Sequence, residues 1–266
     1  MLTLYHYDRS TAAQRVRLAL EEKGIAWESI VVDTARGDVE ELPEDYHRLN
    51  PKGLIPVIIH DGRAIPESLV ILEYLEDTFG DVPLRPSDPT ERAQMRLWMR
   101  QIDGGIHVAS RVLGVCIVNR HIYREKGEEK IGKYYAAMKD GVRRKNDLVN
   151  LESGMDSPLL PDAVRSFRSL FEEMDRWLGT HPWLAGSSYS LADMALVVYV
   201  RRLESFMMAP LWSELRHLDE WYRRIESRPP YQRAIVEWGD VTEEKRRVHG
   251  TEAFPKLQEL WAAATA

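Results

Sequence analysis

The chain has a single cysteine, Cys116, among 266 residues. One thiol excludes an intrachain disulfide and any CxxC frame, and it suits a reducing compartment. Long apolar runs are missing as well. The longest, Met194–Val200, holds seven residues, far short of the ~20 that a membrane-spanning helix requires. Positive charge is not in excess: 36 Lys and Arg against 42 Asp and Glu give a formal charge of −6, without the basic footprint of a general nucleic-acid binder. The short clusters Arg143-Arg144-Lys145 and Lys245-Arg246-Arg247 have acidic residues nearby and read as solvated helix faces. Eight scattered histidines form no HExxH frame, so no metal site is expected. GxGxxG, GxxxxGK and GxSxG are absent too. The N-terminus enters a strand at once, leaving no room for a secretory leader, so a cytoplasmic protein is expected.

What is present changes character near residue 80. The run Leu2–Tyr7 reads as a strand, about 12–23 as a helix stopped by Gly24, and Glu28–Asp33 as a second strand. A helix between two strands implies that they are parallel. A short helix over about 38–48 is also compatible with the pattern. Val57–His60 and Arg63–Ile65 flank Asp61-Gly62, the two-residue turn of an antiparallel hairpin, and a helix follows from about Ser68. Three prolines between Gly80 and Pro89 mark a linker. Beyond it the periodicity is helical, over about 90–111, 123–150, 161–179, 191–208 and 213–227. The expected organisation is therefore 1–80, a linker at 81–89, a helical domain at 90–240 and a tail at 241–266. Residues 114–160 are sparse in apolar positions and read as a mobile excursion. Five tryptophans on helical stripes, Trp98, Trp177, Trp183, Trp212 and Trp221, read as core or interface packing.

Four segments carry chemical promise. Ser10, in STAAQRVRLALEEKG, stands at a helix start, where unpaired N–H groups and the helix dipole favour an anion and a hydroxyl can donate one more hydrogen bond. The same position suits a plain N-cap by Ser10 or Thr11. In NPKGLIPV, Pro56 opens the hairpin strand, and the backbone of Ile55 can pair with an extended peptide. At Pro66-Glu67-Ser68-Leu69, Ser68 can cap a helix or hold a carboxylate, and Glu67 can accept an ammonium. In GSSYSLADMAL, Ser190 and Asp193 have capping-box spacing, a structural signature.

Taken in order, these segments together with ESLVILEYLED resemble the cytosolic glutathione S-transferase superfamily over roughly 1–112 and 163–228. The resemblance implies an α/β thioredoxin-like N-terminal domain with a mixed four-stranded sheet and an all-α C-terminal domain. It implies glutathione as co-substrate, a hydrophobic electrophile as second substrate, and a homodimer. It aligns Ser10 with the catalytic serine of serine-type classes, with Thr11 and Tyr7 as rival hydroxyls. Pro56 matches the family's cis proline, Ile55 its cysteinyl-binding backbone, and Glu67 and Ser68 its γ-glutamyl anchor. Lys52 and Arg36 are the cations available for the glycyl carboxylate. Tyr7, Ile102, His107 and Arg111 are candidates for the second-substrate pocket, and Leu54 stands where many serine-type classes carry glutamine. The long helical part resembles bacterial glutathione-dependent β-etherases, which cleave aryl ethers by thiolate attack. Without a cysteine at position 10, thiolate activation fits better than thiol-disulfide exchange or a reductase activity, which need a protein mixed disulfide. A non-catalytic interaction module with this fold is the remaining alternative. Making the thiol mostly thiolate at neutral pH requires a shift of about two units, ~2.7 kcal/mol. One charge-assisted hydrogen bond (~1.5–3 kcal/mol) and a helix terminus (~0.3–1 kcal/mol) supply that amount.

Overall fold

A computed structural model describes residues 1–32, 44–239 and 242–264. The chain divides into two compact units. The first comprises Met1–Met99, Ala185–Val198 and Arg223–Asp240, and the second Arg100–Leu184, Tyr199–Tyr222 and Val241–Ala266.

The first unit is built on a four-stranded mixed sheet of order β2-β1-β3-β4. Strands β1 (Leu2–His6) and β2 (Trp27–Val31) are parallel, while β3 (Val57–His60) pairs antiparallel with β1 and with β4 (Arg63–Pro66). The expected pairing directions hold. Asp61 (φ 49°) and Gly62 (φ 75°) give the hairpin a turn whose twist matches its strands. Helix α1 (Thr11–Lys23) packs its Ala13, Val16, Ala19 and Leu20 inward with Leu2 and Leu4 also buried. It ends at Gly24 in the left-handed region, where the Ile25 N–H closes back on Leu20 at 3.0 Å. Helices α2 (Glu44–Leu49) and α3 (Ser68–Thr78) complete this part.

Further along lie α4 (Pro89–Gln101), α5 (His107–Gly114), α6 (Arg120–Lys126), α7 (Glu128–Ala137), α8 (Gly141–Ser153), α9 (Leu160–Leu178), α10 (Leu191–Glu204), α11 (Arg216–Glu226), α12 (Pro229–Tyr231) and α13 (Glu243–Ala263). Single π-turns at Ile102–Ile106 and Val115–Asn119 join α4, α5 and α6 into one run, Pro89–Lys126. By length and composition that run is apolar enough to cross a membrane, but its most apolar window is 61% buried within the protein, as in a core helix.

Several sequence expectations are corrected here. Residues 114–160, expected as a mobile excursion sparse in apolar positions, include the core residues Val115, Cys116, Ile117 and Val118, and α6, α7 and α8 follow. The single helix expected over 123–150 is interrupted at Gly127, whose φ of 87° breaks it, and again between Ala137 and Gly141. The segment 241–266, expected as a tail, carries the 21-residue helix α13. Lys245 and Arg247 are solvent-accessible and paired with Glu125 and Glu244, as expected of a solvated face, whereas Arg246 between them is buried. Trp98, Trp212 and Trp221 are buried, whereas Trp177 and Trp183 are half-buried. Ser190 and Asp193 form the expected capping box: the carboxylate accepts the Ser190 N–H and O–H, both at 2.9 Å.

Candidate active site

The turn between β1 and α1 places Ser10 as the N-cap of α1. Its Oγ accepts the Ala13 N–H at 3.2 Å, and its own N–H donates to the Tyr7 carbonyl at 3.2 Å. The capping reading is thus correct, but it does not exhaust the hydroxyl. A serine accepts through lone pairs and keeps one proton to donate. That proton sits where the first N–H groups of α1 and its dipole favour negative charge. Thr11 is buried in the first turn. The Tyr7 hydroxyl accepts from Arg9 at 2.9 Å, beneath an Arg9 guanidinium centred 5.0 Å from the ring.

Below this turn lies Arg17, a polar residue beside the apolar stripe of α1. Arg17 is 0% exposed, and Arg15 is buried too. The Arg17 guanidinium donates to the carbonyls of Ala234 (2.7 Å), Asp8 (3.0 Å) and Tyr7 (3.2 Å) and contacts His6 Nδ1 at 3.1 Å. Arginine can only donate, so His6 accepts at Nδ1 and carries its proton on Nε2, 2.8 Å from Ser29 Oγ. Burial, reinforced by the Arg17 charge, pushes the His6 pKa down to about 3, and the ring is neutral. Burial also lowers Arg17 to about 10, partly offset by Asp8, which leaves it charged at neutral pH. Trp238 stacks beside Trp27, meets His6 edge-on at 4.7 Å, and lies under Arg17.

The loop before β3 is shaped by residues that the sequence reading missed. The Ile55–Pro56 bond is cis. The preceding carbonyl, that of Leu54, accepts from Tyr46 Oη at 2.5 Å and Asn50 Nδ2 at 2.7 Å. Asn50 also accepts the Lys52 N–H at 3.1 Å, and both Tyr46 and Asn50 are buried. Burial raises the Tyr46 pKa well above its usual value, so it remains a donor. Ile55 lies just outside the sheet ladder, which begins at Val57.

Across the hairpin, Glu67 precedes α3 with φ 70° and ψ 107°, a conformation that side-chain-bearing residues seldom adopt. The N-cap residue Glu67 makes no side-chain cap hydrogen bond, and Ser68 opens α3 as its first residue rather than capping it. Glu67 is exposed and accepts from Lys52 Nζ at 2.7 Å. Glycine would relieve the backbone here, so a glutamate suggests a use for its carboxylate. Arg36 lies outside the described residues.

The candidates of the second unit are arranged differently. Ile102 is buried in the π-turn after α4, and His107 is exposed with Nδ1 3.0 Å from Tyr199 Oη. Arg111 is engaged by Asp147, with Nε 2.8 Å from one carboxylate oxygen and Nη2 against the other. Burial lowers the Arg111 pKa, but hydrogen bonding to Asp147 outweighs it and leaves the group firmly cationic. The Asp147 side chain is 2% exposed. Tyr123, Tyr134 and Tyr135 gather their rings within 6.4 Å of one another in the same unit. Cys116 is buried, and desolvation pushes its thiol up to about 12.

The glutathione S-transferase N-terminal domain family matches residues 9–78, and the C-terminal domain family matches 109–229. Protein LigF of Sphingobium sp. strain SYK-6 is 27% identical over 86% of this chain and 90% of its own. FtsZ-localized protein A of Caulobacter vibrioides is 28% identical, over 88% and 91%, and the tetrachloro-p-hydroquinone reductive dehalogenase of Sphingobium chlorophenolicum is 28% identical, over 88% and 96%. Among solved structures, β-etherase LigF from the same Sphingobium strain superposes with a TM-score of 0.80 at 24% identity, covering 89% of this chain and 99% of that one. The glutathione-bound theta-class transferase of Xanthomonas axonopodis pv. citri gives 0.62 at 25%, covering 88% and 97%. With both domain families matched in order over a sheet and helices of the expected architecture, the chain belongs to the glutathione S-transferase superfamily.

Proposed function

We propose that the chain is a serine-type glutathione transferase in which Ser10 donates a hydrogen bond to the glutathione thiolate. The observation that carries this reading is the Ser10 cap: Oγ is fixed by accepting from Ala13, which leaves its proton for a ligand at the start of α1. Glutathione lies extended along Ile55 and Pro56. Its γ-glutamyl carboxylate meets the start of α3 at Ser68, and its ammonium meets Glu67. Lys52, now paired with Glu67, and Arg36 are the cations for the glycyl carboxylate. Tyr7 and Thr11 stand near the thiolate, and Ile102, His107 and Arg111 contribute to the second-substrate pocket. The working form is a cytoplasmic homodimer that needs no metal.

The thiolate sulfur attacks an electrophilic carbon of a hydrophobic, aromatic substrate. A C–S bond forms as the bond to the leaving group breaks, and the leaving group departs with the electron pair. With a β-aryl ether the leaving group is a phenolate, which takes a proton from water. The likeness to Protein LigF supports that substrate class. A thiol-disulfide oxidoreductase is the weaker alternative, because Cys116 is buried with a raised pKa and position 10 is serine.

A second reading has one observation in its favour: FtsZ-localized protein A is as similar to this chain as LigF is. On that reading the fold serves as an interaction module. Retention on immobilised glutathione, elution by free glutathione, and turnover of an aryl halide and a panel of β-aryl ethers test the choice. Loss of turnover in Ser10→Ala supports the transferase. A wild-type protein that neither binds glutathione nor conjugates any electrophile leaves only the interaction module.

A further inference from the structure

We propose that Arg17 is a positioning residue for thiolate formation, acting through the Tyr7 carbonyl on Ser10. This rests on the reading of Ser10 given above. The Tyr7 carbonyl is shared: it accepts the Ser10 N–H at 3.2 Å and the Arg17 Nη1–H at 3.2 Å. The other terminal nitrogen of the same guanidinium holds the Asp8 carbonyl at 3.0 Å. Two successive carbonyls of the turn before Ser10 are therefore gripped by one rigid, planar group. Nε binds Ala234 at 2.7 Å, so the fork is held from both sides.

The cost of this arrangement points to a function beyond packing. A fully buried cation loses its hydration, and neutral carbonyls repay that loss less well than a carboxylate would. Four of its contacts are to carbonyls and a neutral histidine. A methionine with hydrophobic neighbours would fill the same space without that cost. The charge is retained directly beneath the turn where the proposed thiolate lies, and in a low-dielectric interior its field is poorly screened. The other charged groups on the turn are Asp8, whose carboxylate accepts the Arg9 N–H at 2.7 Å, and Arg9, which covers Tyr7. Both lie nearer the surface, as half-exposed residues. Arg17 thus fixes the direction of the Ser10 hydroxyl and adds positive potential behind it.

The test follows the bound thiolate by ultraviolet absorbance against pH in wild type, Ser10→Ala, Arg17→Lys and Arg17→Met. The expected result is a rise in the bound thiol pKa of about one unit in Arg17→Met and less in Arg17→Lys, which keeps charge but not the fork. At about pH 5, where the bound thiol is protonated in every variant, the glutathione Kd should change less than threefold, because the γ-glutamyl anchor lies on another segment. A merely structural Arg17 would lower the Tm and weaken binding with no shift in thiol pKa, and that result overturns the proposal. A shift in Ser10→Ala with none in Arg17→Met removes Arg17 alone; no shift in Ser10→Ala removes the Ser10 reading itself. The wild-type protein decides the matter where the variants do not fold. The Arg17 Nε–H resonance should titrate with the bound glutathione thiol and stay still with S-methylglutathione. A resonance indifferent to both overturns the proposal.

Discussion

At the scale of single residues, the most telling feature is a hydroxyl that serves two partners. Ser10→Ala removes the N-cap and the proposed thiolate donor together. It is expected to cost about 1 kcal/mol of stability in urea denaturation. In steady-state kinetics it should lower kcat by about 100-fold, since one charge-assisted hydrogen bond is worth ~1.5–3 kcal/mol. Glu67 allows an opposite pairing of effects. Glu67→Gly relieves a backbone at φ 70°, so its Tm should stay level or rise, while the glutathione Kd increases about tenfold or more from loss of the ammonium acceptor. A Kd unchanged in that variant would remove Glu67 from the glutathione site. His6 makes a pH prediction. Its folded pKa of about 3 lies below the unfolded 6.5, so the unfolded chain binds the proton first. The stability from a neutral His6 is fully present above pH 6.5 and is lost as pH falls toward 3. His6→Gln should flatten the acid limb of the stability curve between those values.

At the scale of elements, loops and helix ends are fixed by buried polar groups that periodicity does not reveal. Lys23 is an example: its ammonium meets Glu76 at 2.7 Å and the carbonyls of Phe79 and Val82, and Glu76 in turn accepts the Leu84 N–H. The last turn of α1 is thereby tied to the chain leaving α3. Lys23→Met should cost about 3–5 kcal/mol, because it strands a buried carboxylate. Adding Glu76→Leu should recover only part of that loss in urea denaturation, since it deprives Leu84 of its acceptor. The cis-proline loop is similar. Asn50→Ala removes a donor to Leu54 and an acceptor for Lys52, and should raise the KM for glutathione about fivefold, equivalent to one hydrogen bond of ~1 kcal/mol. The start of α3 at Ser68, the cis bond at Pro56 and the capping box could be read from sequence, because local chemistry sets them. Tyr46 and Asn50 could not, since their shared target, the Leu54 carbonyl, carries no side-chain signal.

At the scale of the whole molecule, a glutathione transferase should be stabilised by its co-substrate. Saturation at 100 times Kd adds about 2.7 kcal/mol by mass action, enough to raise the Tm by about 5 °C in a thermal melt. A Tm insensitive to glutathione up to tens of millimolar would count for the interaction-module reading. The proposed homodimer predicts a sedimentation mass twice that of the chain.

Sequence alone determined the order of strands and helices in the first unit, its pairing directions, the hairpin, the start and stop of α1, and the segments from which family membership follows. Each depends on contacts within a few residues: alternation, a capping hydroxyl, a left-handed glycine, an Asp-Gly turn. Tertiary structure decided which polar residues are buried. Arg15, Arg17, Lys23, Asp147 and Arg246 sit on helices with polar neighbours and look solvated, yet all are buried. It also decided that Val115, Cys116, Ile117 and Val118, at the start of a stretch otherwise sparse in apolar residues, belong to the core. A helix face is inside or outside according to what packs on it, and that partner lies far along the chain: Ala234 for Arg17, Asp147 for Arg111.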